Sequence, residues 1–162
     1  MEYIKQLKQM DVEASRRRYP NVPEYALVPK KYHERSANGL TQMVIDWLRF
    51  HGWQAERINT TGRRIDNRKT SIDVIGRART IGKVEWIPTT GQKGSADISA
   101  TVMGRSIKIE IKYGKDRQSD DQKKYQQDIE RSGGVYLIVR KFDEFVEWYN
   151  QFTGAQGVNK PF

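Results

Sequence analysis

The 162-residue chain has no cysteine and only two histidines, His33 and His51. This excludes disulfide frameworks, thiol catalysis and zinc ribbons, and leaves too few imidazoles for a His-built metal site or hydrolase. No run approaches the roughly 20 apolar residues that cross a bilayer. The start, Met1-Glu2-Tyr3-Ile4-Lys5, lacks the apolar stretch of a signal peptide, so a cytoplasmic protein without a membrane partner is expected. Acidic residues are also in short supply: 20 Asp plus Glu face 29 Lys plus Arg, for a net charge of +9. A small domain with that imbalance attracts polyanions, and counterion release makes a phosphate backbone the favoured partner. The chemistry available is that of carboxylates, lysines and hydroxyls. Mean hydropathy is low, at -0.83, yet the apolar residues are clustered. One compact domain with solvated, appended arms is therefore expected.

Proline is sparse, and Pro20, Pro23 and Pro29 fall together. They break regular structure after a charged helix expected over residues 3–18, whose weak apolar stripe is Ile4, Leu7 and Met10, with Ala14 as a further candidate. That helix ends in Arg16, Arg17 and Arg18, read either as phosphate contacts or as a solvated basic end. Residues 1–37 are thus expected as a basic N-terminal helix and arm. Ser36 suits the N-cap of a second helix, in which Leu40, Met43, Val44, Trp47 and Leu48 recur at spacings of three and four. Gly52 ends it, with His51 compensating the helix dipole. A strand follows over 53–59. Residues 60–94 alternate Gly, Thr and Arg with short β-like runs at 71–75 and 80–87, which predicts one or two hairpins with basic loops. A helix over 118–131, a buried strand over 134–139 and an amphipathic helix over 142–152 complete the pattern. The order indicates an α/β fold with a mixed central sheet flanked by helices. The domain is bounded at 38–152, with an insertion at about 60–94 and a tail at 153–162.

The clearest hairpin runs from Ala96 to Tyr113, both halves alternating as half-buried strands do. A two-residue Gly104-Arg105 loop suits a type II′ turn. That register pairs Met103 with Ser106, Asp97 with Lys112 and Ser99 with Glu110. Asp97, Ser99, Glu110 and Lys112 then share one face, with opposed side chains about 5 Å apart at Cβ. Two carboxylates and an ammonium would converge in a patch the size of a hydrated cation. Mg²⁺ is usually held by one or two carboxylates with several waters retained. Asp97 and Glu110 would hold it, and Lys112 would orient water or stabilise the transition state of phosphodiester hydrolysis. Taken alone, Lys108-x-Glu110-x-Lys112 is also the pattern of a solvated ladder. Asp97 distinguishes the two readings, because Asp is disfavoured inside a strand. Ser119 and Gln122 form a capping box for the next helix, and Gln122 can also face the carboxylates. Ser99 is a lesser candidate for support.

At these residues the sequence resembles the PD-(D/E)XK nuclease superfamily, and within it the virus-type replication-repair nuclease (VRR-NUC) family. The resemblance rests on Lys93-Gly94-Ser95-Ala96-Asp97, Ile109-Glu110-Ile111-Lys112, Gln118-Ser119-x-x-Gln122 and Ser132-Gly133-Gly134-Val135-Tyr136, and spans about 38–148. It implies a restriction-endonuclease-like core and a Mg²⁺- or Mn²⁺-dependent endonuclease acting on branched, flapped or four-way DNA, similar to the dimeric Holliday-junction resolvases of bacteria and phages. It further implies Asp97, Glu110 and the Ile111 carbonyl as metal ligands, Lys112 as the catalytic lysine and Gln122 as its polar support. Ala96 replaces the family's usual Pro. The family's first-helix acid has no direct counterpart, leaving Glu34 or Gln42 as substitutes.

Contacts to DNA are expected from Arg57, Asn59, Arg63, Arg64, Lys93, Lys115, Arg117 and Lys123. A homodimer is expected for symmetric cleavage. Phe142, Phe145, Trp148 and Tyr149 are candidates either for that interface or for the core. The alternative reading is a non-catalytic nucleic-acid- or partner-binding module that keeps a nuclease fold.

Overall fold

The computed structural model describes residues 2–59, 62–87 and 91–154. Helix α1 (Glu2–Arg18) leads through a 3-10 turn at Glu24–Ala26 to α2 (Ala37–Phe50) and strand β1 (Gln54–Arg57). Four short strands follow: β2 (Arg63–Asp66), β3 (Lys69–Ile72), β4 (Ala78–Ile81) and β5 (Val84–Ile87). The chain continues with β6 (Ile98–Val102), β7 (Arg105–Ile111), α3 (Asp120–Arg131), β8 (Val135–Val139) and α4 (Phe142–Gly154). Two compact units result, one of Met1–Ile58 with the chain from Gly94 onward, the other Asn59–Lys93. Of the tail expected at 153–162, only Thr153 and Gly154 are described, and they extend α4.

The larger unit is built on a mixed sheet in the order β1-β6-β7-β8, antiparallel except for the parallel β7–β8 pair that α3 connects. Alternation gives the sheet two different faces. Ile98, Ala100 and Val102 of β6, with Ile107, Ile109 and Ile111 of β7, form the buried core with α1, α2 and α4. Ser36 caps α2 as expected, its Oγ accepting the Gly39 N–H at 3.1 Å. Phe142, Phe145 and Tyr149 are buried in this core, and the Tyr149 hydroxyl accepts the Trp53 indole N–H at 2.8 Å. Three of the four aromatics considered for a dimer interface are therefore core residues.

The N-terminal segment, expected as an appendage, is part of the same unit. Leu7 is completely buried between α1 and the core, a contribution of about 2 kcal/mol for a leucine side chain. The Pro-containing arm is pinned by two acids. Asp11 accepts the Lys30 N–H at 2.7 Å, and Asp46 accepts Lys30 Nζ at 2.8 Å and the Tyr32 hydroxyl at 2.9 Å. Burial and the Asp46 charge push the Tyr32 phenol far above its ordinary range. The expected stripe makes this packing, with Ile4 and Met10 beside Leu7 against the core, and Tyr3 edge-on to Trp47.

The smaller unit is a single long β-ribbon rather than two separate hairpins. β2 pairs with β5 from Arg63↔Ile87 to Asp66↔Val84, and β3 pairs with β4 from Lys69↔Ile81 to Ile72↔Ala78. The register runs through unchanged, joined by the Asn67 N–H to the Lys83 carbonyl at 3.1 Å. The run expected as one strand over 80–87 is broken at Gly82, whose φ of +106° favours glycine and whose α-carbon leaves no room for a Cβ against the Asn67 carbonyl. The run expected over 71–75 instead reaches the ribbon's tip.

Candidate active site

The β6–β7 turn differs from expectation. Val102 pairs with Arg105, so Met103 and Gly104 form the turn, with φ of +54° and +75°. Positive φ at both central residues is the type I′ pattern, which matches the strand twist and outweighs the cost of a left-handed Met. Ser99 consequently pairs with Lys108, not Glu110. The register differs by two residues, and because side chains alternate with a period of two, no residue changes face. Continued outward, this register sets Asp97 opposite Glu110.

Asp97 sits in the bend just before β6 and is anchored at both ends. Its carbonyl accepts the Ile58 N–H at 2.8 Å, and its Oδ2 accepts the Ile111 N–H at 2.9 Å. In an extended strand a residue's N–H and C=O point to the same edge. The Ile111 carbonyl is accordingly directed to the β6 edge, where the Asp97 carboxylate lies, while the next residue, Lys112, turns its N–H to Val139 of β8 at 2.9 Å.

Glu110 and Lys112 are nearly inaccessible, at 3% and 4% exposure, which separates this pair from a solvated ladder. Lys112 Nζ lies 3.0 Å from Glu110 Oε1, 2.9 Å from Gln122 Oε1 and 3.5 Å from Oδ2 of the more exposed Asp116. Gln122 Nε2 donates to Glu110 Oε1 at 2.6 Å. Glu110 Oε2 is buried with no hydrogen-bond partner among the described residues. Burial, with the Asp97 charge adding to it, raises the Glu110 carboxyl above the usual glutamate value, against the opposing pull of Lys112 and Gln122. A buried carboxylate oxygen without a donor costs free energy unless something positive meets it.

Gln122 reaches the site because of how α3 begins. Ser119 Oγ accepts the Gln122 N–H at 3.3 Å, and Gln122 Oε1 accepts the Ser119 N–H at 3.0 Å, completing the capping box. The same Oε1 accepts Lys112, so this residue both caps the helix and supports the site. The helix start is seated on Gly94, which has φ of +79° and whose Cβ position would lie 2.5 Å from the Asp121 carbonyl. Farther along α3, Tyr125 packs with Ala96 and Tyr136 in a second, smaller core on the polar side of the sheet.

Other expected residues are placed differently. Ser99 accepts Lys108 Nζ at 2.6 Å. The Glu34 carboxylate accepts the Phe142 N–H at the start of α4, and Gln42 is exposed. One Glu34 oxygen thus caps the start of α4. Arg57, Lys115, Arg117 and Lys123 are exposed, with Arg57 donating to Asn38 at 2.8 Å and Lys123 to Asp120 at 2.9 Å. Asn59, Arg63, Arg64 and Lys93 are exposed residues of the smaller unit. Sequence reasoning missed Asp116 as a neighbour of Lys112. It also missed Tyr136, whose buried hydroxyl is pushed up to about 12 by burial and by Glu110. The signal for Tyr136 was one aromatic at an alternate position of a strand already read as buried.

The donor set suits a hard divalent cation. Two carboxylates, one with a buried oxygen unpartnered among the described residues, occupy facing positions of the hairpin, and Mg²⁺ is usually held by one or two carboxylates with several waters retained. Among the described residues no three His, Asp or Glu side chains group to hold a metal, so any such ion would keep much of its water. In comparisons with known proteins, the sequence matches no family model and no curated protein.

Proposed function

We propose that this chain is a Mg²⁺- or Mn²⁺-dependent endonuclease that hydrolyses phosphodiester bonds in DNA, selecting branched, flapped or four-way structures. The observation that carries the reading is Glu110 Oε2, a buried acceptor with no donor, beside Asp97 and a buried Lys112. The order Asp97, Glu110, Ile111, Lys112 and its likeness to the VRR-NUC pattern point the same way. So does the net charge of +9.

Asp97, Glu110 and the Ile111 carbonyl would hold the ion. When bound, a divalent cation offsets charge on the phosphate and makes a water easier to deprotonate. The chain's own part is positioning and charge. Glu110 uses Oε1 to fix Lys112 and Gln122, leaving Oε2 for the cation. An ammonium has three protons. Lys112 gives one to Glu110 and one to Gln122, and turns the third toward the exposed Asp116 side, where a phosphate oxygen or the attacking water would accept it. Held in a buried site, that charge is worth more to the transition state than it would be in water.

The test is to incubate the purified protein with linear, flapped, single-stranded and four-way DNA, with Mn²⁺ or with EDTA. Cleavage is expected only with the metal, and Asp97→Ala and Lys112→Ala are expected to abolish it. Equal cleavage by the parent and both variants would overturn the site. Tight, salt-sensitive binding with no product in either metal would favour the non-catalytic module.

A further inference from the structure

The β2–β5 ribbon buries no described residue. Two-stranded ribbons are marginal in water unless something covers a face, and this one carries apolar residues where a free ribbon gains nothing from them. The greatest exposure is at the tip. Val74 is fully exposed, and Ile72 and Ile75 are 73% and 69% exposed.

The tip is nevertheless ordered by its own hydrogen bonds. The Asp73 N–H donates to the Arg77 carbonyl at 3.0 Å, and the Gly76 N–H to the Asp73 carbonyl at 3.0 Å. Asp73 Oδ1 accepts the N–H of Ile75 at 3.0 Å and of Arg77 at 2.8 Å. Gly76 supplies the left-handed residue, with φ of +78°. Four hydrogen bonds thus present two β-branched aliphatic side chains outward.

Charge identifies the occupant. The ribbon's acids are engaged internally: Asp66 by Arg68 at 2.7 and 2.9 Å, Glu85 by Lys83 at 2.8 Å, and Asp73 by the tip backbone. Arg63, Lys69, Arg77 and Arg79 have no ion pair among the described residues. Arg77 adjoins the apolar tip, and Arg79 pairs with Ser71 just behind it. An apolar protein partner would have no use for these cations. Double-stranded DNA uses both features, phosphates for the cations and stacked bases for an aliphatic wedge. Ten residues per strand give a ribbon of roughly 33 Å, about one turn of duplex. The DNA major groove admits a two-stranded ribbon, whereas the deep, narrow groove of A-form RNA does not.

We infer that the β2–β5 ribbon is a DNA-binding arm that lies along a groove of double-stranded DNA and wedges Val74 and Ile75 between base pairs. The inference shares with the proposed function only the choice of DNA as partner and does not require the chain to cut. It gives a physical basis for preferring branched or kinked DNA, where a base step is already partly unstacked and opening it costs less.

The experiment uses the full chain in EDTA with a 30-base-pair duplex carrying 2-aminopurine and a terminal fluorophore pair. The parent is expected to raise 2-aminopurine fluorescence and bring the ends together. The Val74→Ser/Ile75→Ser variant is expected to lose both signals while binding within about 10-fold of the parent, because phosphate contacts dominate affinity. Arg77→Glu/Arg79→Glu is expected to bind at least about 10-fold more weakly, with a salt dependence shallower by about 2 in log–log slope. Matching circular dichroism and Tm would establish that both variants fold. Unstacking by the serine variant equal to the parent's would overturn the inference, as would an unchanged salt slope for the glutamate variant. A tip-dependent dimer in sedimentation, or tip-dependent binding to neutral or anionic lipid vesicles with no DNA signal, would also overturn it. Binding and unstacking without Mn²⁺-dependent cleavage would keep the arm and remove the nuclease. Cleavage with tip variants that bind and unstack like the parent would do the reverse.

Discussion

Gln122 donates its side-chain amide to Glu110 at 2.6 Å while its amide oxygen accepts Lys112 at 2.9 Å. One glutamine on α3 therefore orients both the carboxylate proposed to hold a cation and the ammonium proposed to meet the phosphate. Neither group depends on it for charge, only for position.

Replacing Gln122 should accordingly weaken function without abolishing it. Gln122→Ala is expected to lower metal affinity or kcat by about 10- to 100-fold, the usual effect of removing a group that orients a metal ligand. Gln122→Glu caps the helix equally well but adds a carboxylate beside Glu110, so it should restore α3 and not activity. Titration calorimetry with Mn²⁺ and cleavage kinetics would separate the two effects.

Glu110 should destabilise the metal-free protein at neutral pH. Its carboxyl is raised above the unfolded value, so its favourable contribution is fully present below the ordinary glutamate pKa. That contribution is lost as pH rises through the higher folded value. Glu110→Gln is expected to raise Tm in EDTA at neutral pH by a few degrees, about 2–4 °C for each kcal/mol in a domain of this size. The gain should shrink under acid. Mn²⁺ should raise the Tm of the parent and leave that of the variant unchanged. A variant less stable than the parent in EDTA would mean that Lys112 alone satisfies this carboxylate.

Gly94→Ala should act at a distance. A left-handed alanine costs about 1–2 kcal/mol, and the added methyl meets the backbone of Asp121 rather than a side chain able to move aside. The total is expected near 2–4 kcal/mol once overpacking is included, measured by urea denaturation. Because α3 would be pushed back, Gln122 should withdraw and cleavage should fall even at temperatures where the variant stays folded. Gly104→Ala, where an added Cβ meets no neighbour, is the control for backbone strain alone.

Alternation made most of the sheet legible. Ile98, Ala100 and Val102 against Ile107, Ile109 and Ile111 announced two half-buried strands, and with them the common face of Asp97, Glu110 and Lys112. The register was not legible, since Gly104-Arg105 and Met103-Gly104 both make acceptable two-residue turns. The bonds from Ile111 to Asp97 and from Ile58 to Asp97 that accompany the observed register are long-range. The ribbon was harder still. Arg63-Arg64-Ile65-Asp66 has no apolar alternation because neither of its faces is buried, and Gly82 interrupts the partner strand. For α1, the stripe of Ile4, Leu7 and Met10 was legible and packs on the core, whereas the anchoring of the following arm by Asp11 and Asp46 follows no periodicity. The capping box was visible in Ser119 and Gln122, whereas Asp116 joined the site through a loop whose path no local rule fixes.

The backbone hydrogen bond between Ile58 and Asp97 means that the chain leaves the main sheet and returns to it at neighbouring points. Everything between them is an excursion whose two ends are already tied together. The Asp97 position is then independent of that excursion, which can be lengthened, shortened or exchanged without moving the aspartate. In the proposed nuclease, substrate preference and bond-breaking chemistry can then change separately.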